Sequence, residues 1–259
     1  MRIALGIEYD GAGYYGWQRQ AEGPTVQGRV EQALAQVADQ PVGVVCAGRT
    51  DTGVHATAQV VHFDTTAERT PANWVRGGNA NLPDDIRLQW CVQVDDTFHA
   101  RFSAVRRRYR YIIMNRPVAS AVLRNRVCHE YRPLDHERMQ AAASALLGEH
   151  DFTSFRAAAC QAKSPRREIY VLDVTRSGDW VYIDVEANAF LHHMVRCIAG
   201  VLLATGRGEQ PEAWAAEVLQ ARDRTLSGIN APPGGLYLVA VKYDPVHRLP
   251  SQAYLPAYG

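Results

Sequence analysis

The chain has 259 residues, of which 47% are hydrophobic and 21% charged, and its 28 basic and 27 acidic side chains leave a net charge of +1. This composition predicts one large or two small globular domains and excludes disordered and collagen-like chains. The apolar runs fall short of the ~18 residues of a membrane span, and the N-terminus lacks the apolar segment of a signal peptide, so we expect a cytoplasmic protein without membrane contact.

Hydrophobic periodicity predicts two similar runs of elements. The first run has strands at 2–10, 42–49, 57–64 and 86–94 and helices at 25–39 and 71–81. The second has strands at 107–114, 167–176, 180–187 and 236–243 and helices at 135–147 and 189–205, with an additional helix at 211–222. Each run has the order βαββαβ, which is that of a split-βαβ, ferredoxin-like unit.

We therefore predict an α+β fold of two ferredoxin-like, RNA-recognition-like units. They are joined through mainly antiparallel sheets, with helices on one face and an active-site cleft between them. The expected domains are residues 1–104, which include Asp51, and 105–259, which carry insertions and a C-terminal tail. Such a scaffold permits RNA binding without proving it.

Basic charge is concentrated in one part of the chain. Nine arginines and one acid give residues 101–132 a net charge of +8, so the other 227 residues carry −7. In a strand, Arg106, Arg108 and Arg110 would share one face, and the opposite face would carry Arg107, Tyr109 and Tyr111. This pattern favours contact with an RNA backbone and stacking on bases, and a solvated edge strand is the alternative. The expected backbone contacts are Arg101, Arg106, Arg107, Arg108, Arg110 and Arg166.

Gly11–Gly16 matches G-x-G-x-x-G directly after a strand, as a dinucleotide site does. The helix, however, starts near Thr25 and not within the motif, which argues against dinucleotide binding. We expect instead a surface loop rich in Gly and Tyr that orders Asp10, Trp17, Gln18 and Arg19.

Residues 47–56, AGRTDTGVHA, place Asp51 in a polar turn between two threonines. Asp-Thr-Gly also occurs in aspartic proteases, but these need two such carboxylates, and this chain has one copy. A carboxylate near Arg49 stays ionised and suits a nucleophile or a base; a structural aspartate that caps the turn is the alternative. The histidines and the five scattered cysteines lack metal-ligand spacing, so we expect no metal site and no disulfide.

Eight segments, in chain order, resemble the TruA-type tRNA pseudouridine synthases. They are YDGAGYYGWQRQ (9–20), TVQG (25–28), AGRTDTGVHA (47–56), FHARFSA (98–104), RRYRY (107–111), HDFTSFR (150–156), FLHHMVR (190–196) and APPGGLYL (231–238). The resemblance implies conversion of uridine to pseudouridine at positions 38, 39 and 40 of the tRNA anticodon stem-loop, by a homodimer without a cofactor. A non-catalytic RNA-binding protein on the same scaffold is the rival hypothesis.

The resemblance also implies the site residues. Asp51 matches the catalytic aspartate, which attacks C1′ or the uracil ring or abstracts a sugar proton, and the sequence leaves these roles open. Tyr109 matches the tyrosine that stacks on the extruded uridine, and Arg49 the arginine that helps to hold the flipped state. Arg196 matches the arginine that pairs with the carboxylate, and Leu236 a residue of the pocket wall. Two departures from the family pattern follow Arg196: Cys197 replaces a common Asn, and Ile229-Asn230 replaces Pro-Thr.

Overall fold

The computed structural model describes residues 1–228, 230–250 and 255–258. By their contacts the residues form two units: unit 1 consists of Met1–Arg106 and Tyr237–Pro256, and unit 2 of Arg107–Leu236 and Ala257–Gly259. Within the described ranges, no helix is long and apolar enough to cross a membrane.

Unit 1 contains the first predicted run of elements. Its strands are β1 (Arg2–Tyr9), β2 (Val45–Cys46), β3 (His55–Asp64) and β4 (Ile86–Val94), and its helices are α1 (Val26–Ala38) and α2 (Pro71–Asn81). β1 pairs antiparallel with β3 and β4, and β2 pairs antiparallel with β3, so the strands lie in the order β4-β1-β3-β2. This confirms the predicted split-βαβ arrangement for unit 1.

Both helices of unit 1 begin at threonine caps. The hydroxyl of Thr25 accepts a hydrogen bond from the amide of Gly28, and that of Thr70 accepts one from the amide of Asn73. These bonds satisfy amides that have no partner inside the first helical turn. Phe63 of β3 contacts Trp74 edge to face, with ring centroids 5.2 Å apart, which packs α2 against the sheet.

β2 is much shorter than the strand predicted at 42–49. The reason is that side chains of α1, and not a neighbouring strand, form hydrogen bonds with the backbone of Val44. The carboxylate of Glu31 accepts from the Val44 amide (3.1 Å), and the amide group of Gln27 donates to the Val44 carbonyl (3.3 Å). Polar side chains of a helix thus replace a strand partner here, which hydrophobic periodicity cannot indicate.

Unit 2 contains the second run with additions. Its strands are β5 (Ala104–Asn115), which belongs to unit 2 from Arg107 onward, β6 (Cys128–Glu130), β7 (Gly148–Asp151), β8 (Arg166–Ser177) and β9 (Trp180–Ala187). Its helices are α3 (His136–Ser144), α4 (Met194–Gly206) and α5 (Trp214–Ala221). β7, β8, β9 and β5 form consecutive antiparallel pairs, and β6 lies parallel to β5. β5, α3, β8, β9 and α4 repeat the order βαββα, and β6, β7 and α5 are the additions.

α4 begins five residues later than predicted. His193 has a left-handed backbone (φ 65°), and the carbonyl of His192 accepts the amide of Ala157 (2.9 Å), so neither residue continues a helix. Eleven of the 13 residues of α4 are buried, as expected for a helix that is apolar on all sides.

The last strand, β10 (Leu236–Tyr243), was predicted to complete the second run. Its contacts place it with unit 1 from Tyr237 onward, where Tyr237 and Leu238 pair in parallel with His55 and Ala56 of β3. In place of a single boundary at residue 104, unit 1 therefore takes segments from both ends of the chain.

His62 of β3 is a buried histidine that is held neutral. It is 4% exposed, and its Nδ1 accepts the amide of Ala100 (3.0 Å). Burial, with smaller contributions from His99 and Arg2, lowers the pKa of His62 to about 4. Because a histidine in the unfolded chain titrates near pH ~6.5, the unfolded state binds a proton at higher pH than the folded state does.

We predict that the free energy of unfolding falls as the pH is lowered from about 6.5 to about 4, the window between the two pKa values of His62. His62→Asn keeps an acceptor and removes the titration, so its stability should fall less over this window. Urea unfolding at several pH values measures the difference, and parallel curves for the two proteins would contradict the assignment.

Candidate active site

Asp51 lies on the turn that joins β2 to β3 in unit 1. The amide of Val54 donates to the carbonyl of Asp51 (3.1 Å) and closes the turn, and the Asp51 side chain is half-buried. The hydroxyl groups of Tyr9 on β1 and Thr50 lie 2.8 Å apart in a buried contact. The turn is thus tied to the sheet beside a carboxylate that keeps access to solvent.

The glycine loop, Gly11–Gly16, packs its backbone against this turn. The amide of Trp17, just after the loop, donates to the carbonyl of Thr50 (3.0 Å), and the amide of Gly53 donates to the carbonyl of Tyr14 (3.3 Å). Trp17 was expected on a surface loop, but it is 1% exposed and its ring lies 5.9 Å from that of Tyr9. Its large apolar ring is part of the core that supports the turn.

Two glycines make this close packing possible. Gly16 has a φ of +86°, and a Cβ there would lie 2.6 Å from the carbonyl oxygen of Thr50. A Cβ on Gly11 would lie 1.9 Å from the carbonyl oxygen of Val54. Neither glycine is among the predicted site residues. The signal in the sequence is a G-x-G-x-x-G motif that no helix follows.

His55, at the start of β3, closes the turn from the other side. It is buried, and its Nδ1 accepts the amide of Gly11 at 3.0 Å, with Asp10 Oδ1 at the same distance. Its ring stacks on Tyr237 of β10, with centroids 4.6 Å apart and planes at 21°. These contacts fit a structural role for His55 and join the turn to the glycine loop and to β10.

Arg49 is exposed beside the turn, and among the described residues it has no hydrogen-bond or ion-pair partner. Burial raises the pKa of the Cys46 thiol to about 12, and the guanidinium groups of Arg49 and Arg101 oppose that rise. Both cations therefore lie near the end of β2, so the turn carries positive charge next to its aspartate.

Tyr109 lies on β5 in unit 2, opposite Val185 of β9. It is buried, and its ring meets Phe190 edge to face with centroids 5.0 Å apart. The predicted alternation is confirmed along the strand. The buried members are Arg107, Tyr109 and Tyr111, and the half-buried members are Arg106, Arg108 and Arg110.

Arg196 is half-buried in the first turn of α4, also in unit 2. Its Nε donates to the carbonyl of Ala231 (2.9 Å), and the amide of Ala231 donates to the carbonyl of Arg196 (3.0 Å). The hydroxyl of Tyr111 donates to the carbonyl of Pro232 (2.8 Å). These bonds fix the segment that leads to Leu236, which is buried.

Two departures from the family pattern contact each other next to Arg196. The Cys197 thiol lies 2.9 Å from Asn230 Oδ1, and Asn230 Nδ2 lies 3.2 Å from His193 Nδ1. An amide at position 230 thus meets a thiol at 197, so the two departures form one polar contact. Ile229, the other departing residue, lies outside the described residues.

Several of the arginines expected to bind RNA have partners within their own unit. Arg110 donates to both oxygens of Asp184 (3.0 and 2.7 Å) and lies over the Tyr182 ring, and Arg108 lies 3.6 Å from the same carboxylate. Arg107 donates to a backbone carbonyl, that of Asn188 (3.0 Å).

Arg166 lies at the start of β8 and pairs with Glu149 of β7 (3.3 Å). Arg101 is exposed and its guanidinium lies 5.6 Å from the centre of the Phe102 ring. Arg106 is half-buried. The predicted site residues thus fall into two sets: Arg49, Asp51, Arg101 and Arg106 in unit 1, and Arg107, Arg108, Tyr109, Arg110, Arg166, Arg196 and Leu236 in unit 2.

Comparison with known proteins gives the family. The family model described as tRNA pseudouridine synthase matches residues 6–103 and 142–244. The chain therefore belongs to the tRNA pseudouridine synthase family.

Curated relatives match over nearly their whole length. The chain is 56% identical over 258 residues to tRNA pseudouridine synthase A of Shewanella sp. (strain ANA-3), covering 100% of this chain and 99% of the relative. It is 58% identical over 250 residues to the protein of the same name from Nitrosococcus oceani (96% of each chain), and 57% identical over 257 residues to that from Shigella boydii serotype 4 (99% and 95%). A solved Cbf5-Nop10-Gar1 complex matches only loosely, with a TM-score of 0.41 and 12% identity, over 91% of this chain and 48% of that one.

We predict that Gly16→Ala lowers the activity on tRNA by at least tenfold. The substitution strains a positive-φ residue by about 1–3 kcal/mol, and it displaces the Thr50 carbonyl and with it the Asp51 turn. A displacement of about 1 Å at a catalytic group can cost ~10²-fold in rate.

Gly13→Ala is the matched control, because a Cβ there meets nothing within 4 Å. Its activity and melting temperature should equal those of the wild type. Rates measured on the same tRNA compare the two variants, and an equal loss in both would contradict the role of Gly16.

Proposed function

We propose that this protein converts uridine to pseudouridine at positions 38, 39 and 40 of the tRNA anticodon stem-loop, with Asp51 as its catalytic residue. The observation that carries the proposal is the turn around Asp51. Its backbone bonds to Tyr14 and Trp17, its Thr50 hydroxyl contacts that of Tyr9 on β1, and His55 of β3 binds the glycine loop beside it. Family membership supplies the reaction, and the turn supplies one fixed carboxylate to perform it.

The reaction can be carried out by a single carboxylate. The N1–C1′ bond breaks, the uracil turns within the site, and a C5–C1′ bond forms. N1 gains a proton and C5 loses one, so substrate and product are isomers and no co-reactant is consumed. Asp51 serves as a nucleophile towards C1′ or the uracil ring, or as a base at the sugar, and an ionised carboxylate suits each role.

The target base must leave the helical stack before it can react. Extrusion costs a few kcal/mol, and stacking on an aromatic ring recovers ~1 to 3 kcal/mol. We assign this stacking to Tyr109, whose ring is oriented by Phe190. We assign to Arg49 the support of the flipped state and to Leu236 a part of the pocket wall.

Arg196 is assigned to pair with the catalytic carboxylate. Its Nε donates to the carbonyl of Ala231, and we assign the pairing with the carboxylate to its terminal nitrogens. The proposal therefore requires that Asp51 of unit 1 and Arg196 of unit 2 act on the same uridine. Loss of Arg196 should impair an enzyme that retains Asp51.

Six arginines are proposed as contacts to the RNA backbone: Arg101, Arg106, Arg107, Arg108, Arg110 and Arg166. A phosphate that binds Arg108 or Arg110 must compete with Asp184, and one that binds Arg166 must compete with Glu149. We further propose that the protein acts in the cytoplasm as a homodimer, as the resemblance implies, and light scattering tests the oligomeric state.

We predict that Asp51→Asn abolishes pseudouridine formation while the affinity for tRNA changes by no more than a few-fold. The amide keeps the shape of the side chain and loses its charge and basicity. Release of tritium from tRNA labelled at C5 of uridine measures the reaction, because C5 loses its hydrogen.

The same experiment separates the proposal from the rival hypothesis. A non-catalytic RNA-binding protein would release no tritium with either the wild type or the variant. A variant as active as the wild type would show that another group performs the chemistry.

We predict that Tyr109→Phe retains much more activity than Tyr109→Ala. Phenylalanine preserves the stacking face and removes only the hydroxyl, whereas alanine loses ~1 to 3 kcal/mol of stacking, which corresponds to roughly fivefold to 150-fold in rate. Single-turnover rates at saturating tRNA compare the two, and equal rates would contradict a stacking role.

A further inference from the structure

The arginines of residues 101–132 differ in whether the fold already supplies a counter-charge. Arg110 is paired with Asp184 (2.7 Å), and Arg132 with Glu130 (2.9 Å). Such arginines are held by the protein itself and bind a phosphate only by giving up a carboxylate. Their positive charge therefore contributes little to the field that an RNA meets.

The insertion loop, residues 116–127 between β5 and β6, is different. It carries Arg116, Arg124 and Arg126 and contains no acidic residue, so its charge is +3. Among the residues that the structure describes, Arg116 and Arg124 have no carboxylate partner, and Arg124 is exposed. Arg116 and Arg124 therefore present positive charge that no carboxylate of the described residues offsets.

The insertion loop is also held in shape by its own bonds. The amide of Leu123 donates to Ser120 Oγ (3.2 Å), and the amide of Arg126 donates to the carbonyl of Leu123 (3.0 Å). Arg116 Nε donates to the carbonyl of Val118 (2.8 Å). A loop that is ordered before binding loses less conformational entropy when it meets a partner.

The insertion loop rests on the segment that holds Arg196. A Cβ on Gly234 would lie 2.6 Å from the carbonyl oxygen of Asn125, so the two backbones are in close contact. Ala231, three residues before Gly234, exchanges two hydrogen bonds with Arg196. The insertion loop and a proposed uridine-site residue thus share one support within unit 2.

Two valines of the insertion loop are exposed, so a protein partner has to be weighed against an RNA. Val118 is 73% exposed and Val122 is 79% exposed. Exposed valines alone would also suit a second copy of the chain. A two-fold contact through this loop, however, would bring like charges together, whereas a polyanion is attracted to all three arginines.

We propose that the insertion loop is a phosphate-binding element for tRNA, in which Arg116, Arg124 and Arg126 contact the RNA backbone. This inference rests on the proposed function and deepens it, since it names arginines outside the uridine site that hold the substrate. Because these residues do not touch the reacting base, they contribute to tRNA affinity and not to the chemical step.

The test compares two triple variants with the same change of charge. The loop variant is Arg116→Gln/Arg124→Gln/Arg126→Gln. The control is Arg69→Gln/Arg87→Gln/Arg138→Gln, whose arginines bond to Val37, Asp84 and Glu212 respectively. The dissociation constant for an unmodified tRNA is measured at several salt concentrations between about 50 and 200 mM.

We predict that the slope of log Kd against log salt is smaller by about 2 to 3 in the loop variant than in the wild type, since each phosphate contact contributes ~0.7 to 0.9 to this slope. Its kcat at saturating tRNA should stay within about twofold of the wild type, and its KM should rise. The control should keep the slope of the wild type.

An unchanged slope in the loop variant would overturn the proposal. So would light scattering that shows a change of oligomeric state in the loop variant alone, because the loop would then be a contact between copies. If the loop variant shows the predicted change of slope but the wild type forms no pseudouridine, the proposed function is refuted and the phosphate-binding loop is supported.

Discussion

The backbone contact between the glycine loop and the Asp51 turn is the constraint on which the candidate active site depends. Gly11 and Gly16 bring two stretches of main chain closer than any side chain would allow, and amide-to-carbonyl bonds then link Trp17 to Thr50 and Gly53 to Tyr14. A carboxylate on such a turn keeps its position without the reorganisation that a mobile loop would need. The uridine chemistry that we propose for Asp51 needs one group in one place, and this contact holds the backbone of its turn.

Charge in unit 2 is governed by a second constraint, the buried carboxylate of Asp184. Arg108 and Arg110 pair with it, because a buried acid must be paired. The charge of these two arginines is thereby partly neutralised within the protein. The net charge of +8 counted along residues 101–132 is therefore larger than the charge available to a partner. Arg116 and Arg124 of the insertion loop have no carboxylate partner among the described residues, so a phosphate can approach them without displacing one.

Periodic segments were predictable from the sequence, and contacts distant along the chain were not. The bounds of α2 and β4 agree with the prediction, because apolar spacing and a Thr-Pro start define them locally. The late start of α4 depends on the left-handed His193, which no periodicity indicates. The family motifs identify Asp51 as the candidate catalytic residue. They do not indicate Asp184, which lies 74 residues from Arg110 in sequence and meets it only through the pairing of β5 and β9.

Pseudouridine can be mapped, nucleotide by nucleotide, in unmodified tRNA transcripts incubated with the wild-type protein. We predict pseudouridine at positions 38, 39 and 40 wherever a transcript has uridine there, and at no other position. Pseudouridine confined to another arm of the tRNA, or none in any transcript, would contradict the proposed reaction at positions 38, 39 and 40.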